Sequence, residues 1–156
     1  MDMTPEAFRA KQFLARLERT DVYTNLAWTG NIGPEDLYIV NMMKTKPGKT
    51  SEWAQLEQKM MLPIQRQRIK DGFSKGWGAW RRFYPRGTSQ PNDGLTVDVV
   101  GPLAAFPKSM EASSYEAAAR KVDPKIDFAA AVAQVLASRD MVLSEVYRAV
   151  TVVTRK

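Results

Sequence analysis

Leu37 to Lys44 is an almost unbroken apolar run (Leu37, Tyr38, Ile39, Val40, Asn41, Met42, Met43), short, rich in strand formers and ended by Lys46-Pro47-Gly48. A run of that length and make-up reads as a strand covered on both faces. The segments after it limit the possible folds. Ser51 to Lys70 carries Trp53, Leu56, Met60 and Ile64 at three- and four-residue steps, one core-facing helical stripe, with Thr50 or Ser51 as cap and Glu52 in the first turn. Pro63 inside that pattern predicts a kink or break. Phe73 to Tyr84 reads as a long strand, with Phe73, Lys75, Trp77, Ala79, Arg81 and Phe83 on one face and Gly76, Gly78, Trp80, Arg82 and Tyr84 on the other. Leu95 to Val100 alternates as a third strand after a turn-rich loop, so the two should form an antiparallel hairpin. Helical signals over Leu103–Val122 and Ile126–Arg139 are separated by Asp123-Pro124, and Met141 to Val153 suits a last strand.

The resulting order is strand, helix, strand, strand, helix, strand. That is the βαββαβ pattern of a ferredoxin-like α+β fold, a four-stranded antiparallel sheet with helices on one face. The other face carries too many large residues to stay wet in a monomer, and a second copy of the same sheet is the simplest cover. Residues 34–156 make up this domain. Residues 1–33 precede it as a helical extension: Pro5 to Glu18 reads as a helix with Thr4 as N-cap, and Thr20 to Gly33 as irregular chain broken by Asn25, Gly30, Gly33 and Pro34.

Composition removes several chemistries. Among 156 residues there is neither cysteine nor histidine. Disulfides, thiolate catalysis and zinc–cysteine sites are excluded, as are Ser-His-Asp catalysis and a histidine haem ligand. No metal site and no cofactor is expected. No apolar run approaches the roughly 18 residues of a membrane span. Met1 to Arg19 lacks the apolar segment of a signal peptide, which leaves open a cytoplasmic chain, or a secreted or periplasmic one whose leader has been removed. The net charge of +6 is concentrated: Lys44 to Arg86 holds eleven Lys/Arg against three acids, and the remainder is close to neutral. Such a region can attract anions or simply keep a helix face solvated.

The chain bears two family resemblances. Leu37-Tyr38-Ile39-Val40-Asn41-Met42 with Lys75-Gly76-Trp77-Gly78-Ala79-Trp80 resembles the two short motifs of RNA-recognition domains, in which sheet aromatics, here Tyr38 and Trp77, stack on bases beside cations such as Lys75 and Arg81. The departures weigh against nucleic acid as partner. Ala79 stands at the principal stacking position, Arg82 at the last aromatic one, and a hairpin loop comes next where that family has a helix.

The second resemblance rests on Lys46-Pro47-Gly48-Lys49, Glu52-Trp53, Lys75-Gly76-Trp77-Gly78, Pro85-Arg86-Gly87-Thr88 and Thr96-Val97-Asp98, closed by Val142 to Arg148. In order and spacing these resemble the dimeric α+β barrel superfamily, near the antibiotic-biosynthesis monooxygenases and an uncharacterised bacterial branch. The resemblance implies a homodimer joined through its sheets, with a small, partly aromatic organic ligand held in each subunit between sheet and helices. It also implies a cofactor-independent monooxygenase as the first enzyme class to test. A non-catalytic structural or regulatory dimer is the alternative. Haem-degrading members use an asparagine on the first strand, where Asn41 stands, but their haem-binding histidine has no counterpart here.

The candidate ligand contacts are Asn41, Trp53, Trp77, Trp80, Arg82 and Tyr84. A buried amide needs partners and can fix a ligand carbonyl. Tryptophans can wall a flat substrate, at most one of Trp77 and Trp80 on a given side. Arg66, Arg82 and Tyr84 can bind an anionic group or steady an enolate. Asp98 and Glu145, lying in apolar strands, can have raised pKa values if buried, although pairing with Arg82 or Arg148 is the commoner outcome.

Overall fold

A computed structural model describes residues 20–151 of the chain. The fold is α+β, with one five-stranded antiparallel sheet and helices packed against it. The strands are β1 (Val22–Gly30), β2 (Leu37–Thr45), β3 (Gly76–Tyr84), β4 (Gly94–Gly101) and β5 (Arg139–Arg148), in the spatial order β1-β3-β4-β2-β5. Between β2 and β3 the chain runs as α1 (Thr50–Leu56), a π-helical turn (Glu57–Met61) and α2 (Leu62–Lys70). Between β4 and β5 a 3-10 turn (Leu103–Ala105) leads into α3 (Phe106–Ser109), α4 (Ala112–Val122) and α5 (Phe128–Ser138). Each helical connection steps over an intervening strand, β4 in the first case and β2 in the second.

The structure differs from the sequence reading in four places. A fifth strand, β1, lies in the stretch expected to be irregular and pairs with β3 along the sheet edge. Its pairing slips between Asn25 and Ala27, a bulge that breaks the alternation by which a strand is recognised. The sheet therefore takes in residues assigned to the extension, while the helix expected over Pro5–Glu18 lies outside the described residues. The break expected at Pro63 is a change of helical pitch rather than an end to the helix. Pro63 sits in the first turn of α2, directly after the π-helical turn, where a missing N–H is tolerated. The helix expected over Leu103–Val122 divides at Met110 and Glu111. The last strand begins at Arg139 and its described extent ends at Arg148.

The sheet's two faces differ. Along β2 the buried residues alternate as Ile39, Asn41, Met43 and Thr45, the face turned to the helices. Met43 packs with Trp53 and Ala54; Ala27, Trp77 and Ala79 pack beneath Met61 and Leu62; and Ile64 joins α2 to Ala118 and Ala119 of α4. On the opposite face Tyr38, Val40, Met42, Trp80, Leu95 and Val97 are only half-buried, and Trp28, Leu143 and Tyr147 are exposed. Trp28 tilts against Trp80, and Tyr38 stacks on Tyr147 with ring centroids 5.5 Å apart.

Trp53 shows how closely the helix is fitted to the sheet. It is fully buried and lies over Gly94 at the start of β4. A β-carbon at Gly94 would fall inside that ring and within 2.7 Å of the Trp80 carbonyl oxygen. Neither the ring nor the backbone can give way, so overpacking is felt in full. Gly94→Ala is expected to cost about 2 kcal/mol or more of unfolding free energy, measured by urea denaturation. An unchanged midpoint would mean that Trp53 is not seated as described.

A candidate ligand chamber between sheet and helices

Polar residues on the helix-facing side of β2, β4 and β5 converge with polar residues of α2 and α4. Asn41 and Thr96 are register partners, and so are Ile39 and Asp98, which places Asn41, Thr96 and Asp98 together in mid-sheet. The Asn41 amide donates through Nδ2 to Asp98 Oδ2 at 2.9 Å and, more weakly, to Thr96 Oγ1 at 3.4 Å. Ser144 of β5 donates to Asn41 Oδ1 at 2.7 Å. From above, Gln65 Nε2 reaches the other Asp98 oxygen at 3.4 Å. Arg68, one helical step further on, donates to Gln65 Oε1 at 3.0 Å, to Ser114 Oγ at 3.1 Å and to the Ser109 carbonyl at 2.6 Å. Its guanidinium lies 3.5 Å from the centre of the Tyr115 ring, a cation–π contact. The network satisfies each buried polar group that it uses, as an interior polar cluster must.

Beside this network the packing is open. A cavity of about 330 Å³ is bounded by Asn41, Arg68, Asp98, Tyr115 and Ser144 on its polar side and by Ile39, Val100, Phe106, Met110, Met141 and Val146 on its apolar side. A smaller space of about 140 Å³ adjoins it and shares Asn41, Asp98, Tyr115 and Met141, with Glu57, Gln65, Trp77 and Arg139 as further wall. An apolar hollow with a few convergent polar groups is the usual form of a small-molecule site.

The chamber also perturbs its acids. Burial pushes the Asp98 pKa up to about 6, against the pull of the Arg68 charge and the Asn41 and Gln65 hydrogen bonds. Burial pushes Glu57 up to about 7; the Arg139 charge and the Trp53 indole N–H, 2.8 Å from Glu57 Oε1, act downward, and the Asp98 charge adds to the rise. Tyr115 is driven up to about 12 by burial and by Asp98, so its hydroxyl stays protonated at neutral pH. Burial lowers the Arg139 pKa, opposed by Glu57 and Asp140. Near neutrality the chamber thus holds a proton acceptor in Asp98, a partly protonated second acid in Glu57, the cations Arg68 and Arg139, and several hydroxyls. Among the described residues no group of three or more acids could hold a metal ion. No helix among them is long and apolar enough to cross a membrane.

The six residues singled out from the sequence are spread over the molecule. Asn41 stands at the centre of the chamber wall and Trp77 lines its smaller part. Trp53 lies in the core beside them, held by Glu57. Trp80 belongs to the opposite sheet face, against Trp28. Arg82 is buried in a separate cluster, bonded to Asn92, Tyr23 and Asp21. Tyr84 is exposed at the end of β3, and Arg66 is exposed on α2. Glu145 is bonded to Tyr147, while Arg148 pairs with Glu35. Trp77 is buried under the helices and Lys75 is paired with Asp36, so they do not form the open base-stacking surface of the RNA resemblance. Glu57, Gln65, Arg68, Tyr115, Arg139 and Ser144 are not among the residues that the sequence pattern picks out. The one signal for them is polar character at core positions: Glu57 comes one helical turn after Trp53, and Gln65 and Arg68 flank the Ile64 stripe.

No family model, no curated protein and no solved structure matches the chain.

Both chamber acids hold protons more readily folded than unfolded. Between pH 4.5 and 7 the unfolded chain has lost the Glu57 proton while the folded one keeps it, so unfolding free energy falls as pH rises through that window. Asp98 acts in the same sense between pH 3.8 and 6. Glu57→Gln should remove a destabilisation on the order of 3 kcal/mol at pH 8 and flatten the decline, followed by denaturant titrations at several pH values. Parallel curves for the two proteins would show that Glu57 titrates normally.

Proposed function

We propose that this protein binds a small, partly aromatic organic molecule in the chamber between its sheet and helices, on a ferredoxin-like subunit that pairs with a second copy through the open sheet face. The observation that carries the binding reading is the convergence of Asn41, Asp98, Arg68, Tyr115 and Ser144 on one side of a hollow whose other side is apolar. A flat ligand would lie against Phe106, Met110 and Val146 and turn its polar edge toward Asp98 and Arg68. The order β3-β4-β2-β5, with both crossovers carried by helices, supports the ferredoxin-like reading; β1 is then an added edge strand.

The reaction this chamber suits is removal of a proton from an acidic ring or enol by Asp98, with Arg68 balancing the anion that forms. Cofactor-independent oxidation begins with that step. A pre-oriented site contributes more to it than an acid–base relay does. A dimer without catalysis is the second reading, favoured by the complete hydrogen bonding of Arg68, since a saturated guanidinium serves a structural core equally well.

Two measurements separate these readings. Calorimetric titration with 1-naphthol should give one site per chain, weakened about tenfold or more by Val146→Trp, which fills the chamber from an exposed strand position. Equal binding by both proteins would place the probe elsewhere. Consumption of oxygen with bound naphthol, lost in Asp98→Asn, would support catalysis; binding without turnover would support the non-catalytic dimer. The pairing itself predicts a light-scattering mass of two chains at micromolar protein, reduced to one by Val97→Glu on the open face. A single-chain mass for the unaltered protein would end that part of the proposal.

A further inference from the structure

The basic stretch from Lys44 to Arg86 plays no part in the chamber beyond Arg68. Most of its charges have local partners. Lys44 pairs with Asp93, Lys46 with Asp140, Lys49 with Glu52 and Lys75 with Asp36. Arg82, at the end of β3, is engaged locally: its Nε donates to the Asn92 carbonyl at 2.7 Å, one terminal nitrogen meets the Tyr23 hydroxyl and the Asn92 side chain, and the other is ion-paired with Asp21.

Arg81, next to it, differs. Its strand neighbours are Thr24 on one side and Gly94 on the other, so no side chain stands opposite it on β4. Among the described residues its guanidinium has neither a hydrogen bond nor an ion pair. It faces a recess of about 290 Å³ at the hairpin end of the sheet, walled also by Thr50, Arg82, Pro85, Arg86 and Asp93. Arg86 is exposed; its Nε is held by the Phe83 carbonyl at 2.9 Å and its guanidinium lies over the Phe83 ring, which fixes the group and leaves its terminal nitrogens without an acceptor among the described residues. Among the described residues Asp93 is the sole acid in the wall, and it is engaged by Lys44, the Thr45 amide and the Thr45 hydroxyl. The recess is therefore polar and positive, with two uncompensated guanidiniums.

We propose that this recess binds the phosphate group of a small phosphorylated molecule, with Arg81 and Arg86 as its two cationic contacts. Guanidinium forks match the oxygens of a phosphate and form its strongest hydrogen bonds. An inorganic phosphate would fill only part of the space, which leaves room for the group it is attached to. The recess lies at the end of the sheet where β3 leaves and β4 enters, whereas the chamber is lined by a different set that includes Ile39, Val100, Phe106 and Val146. The proposal does not depend on the chamber's ligand.

Calorimetry on the full chain with phenyl phosphate, inorganic phosphate and phenol tests it. Phenyl phosphate should bind more tightly than inorganic phosphate, and phenol should not bind at this site. Arg86→Ala, an exposed change that leaves the core intact, should weaken phenyl phosphate about tenfold, and Arg81→Lys, which keeps the charge but loses the fork, should weaken it by a similar factor. Val146→Trp in the chamber should leave this binding unchanged. Phenyl phosphate binding that is lost in Val146→Trp, or that is indifferent to both arginine variants, would overturn the assignment. So would a single-stranded oligonucleotide that binds more tightly than phenyl phosphate with steep salt dependence and loses affinity in Arg86→Ala, because the recess would then serve a nucleic acid backbone.

Discussion

A carboxylate in the middle of a sheet is the constraint around which this structure is arranged. Asp98 sits on β4 between β2 and β3, facing the helices, where the surrounding side chains would otherwise make a continuous apolar layer. A charge there is costly unless it is hydrogen-bonded and balanced. The chain meets that cost from three directions: Asn41 across the sheet, Gln65 from α2, and Arg68 behind Gln65. Arg68 in turn fixes α3 and α4 through Ser109, Ser114 and Tyr115. One buried charge thus orients the first helical connection against the second, and the hollow beside it is what remains when polar side chains hold the layers together instead of interdigitating apolar ones.

The opposite sheet face carries a different constraint. Among the described residues no helix covers it, and Tyr38, Val40, Met42, Trp80, Leu95 and Val97 are half-buried with Trp28 and Tyr147 exposed at its margins. A contiguous apolar surface of this kind marks an interaction site. A solitary two-layer domain keeps such a face polar, and the apolar character of this one is the physical reason for pairing two copies in the proposed assembly.

Much of the framework is legible in the sequence because its periodicities are clean. The run from Leu37 to Lys44, the helical stripe of Trp53, Leu56, Met60 and Ile64, and the alternation of Leu95, Val97 and Val99 each indicate one element type, and the structure has those elements with small shifts at their ends. β1 is not legible: Asn25 and Gly30 look like breakers, the bulge between Asn25 and Ala27 disturbs the alternation, and an edge strand needs only one neighbour. The chamber is legible only at Asn41 and Trp77. Its other polar members lie on a helix stripe or on distant elements, and spacing along the chain says nothing about Arg68 reaching Ser109 and Tyr115, which depends on how α2 crosses α4. Arg82 and Tyr84 share a sequence neighbourhood with Trp77 but not a place in the fold, because the long strand carries them to the hairpin end of the sheet.

The proposed function requires that the space beside Asp98 accept a ligand and not close into a filled core. A crystal structure of the protein soaked with a planar aromatic such as 1-naphthol separates the two most directly. An open chamber predicts ring density between Phe106, Met110 and Val146, with the naphthol hydroxyl directed at Asp98 and Arg68. A space closed by Met110, Met141 and Phe106, with no room for ring or ordered water, would contradict it.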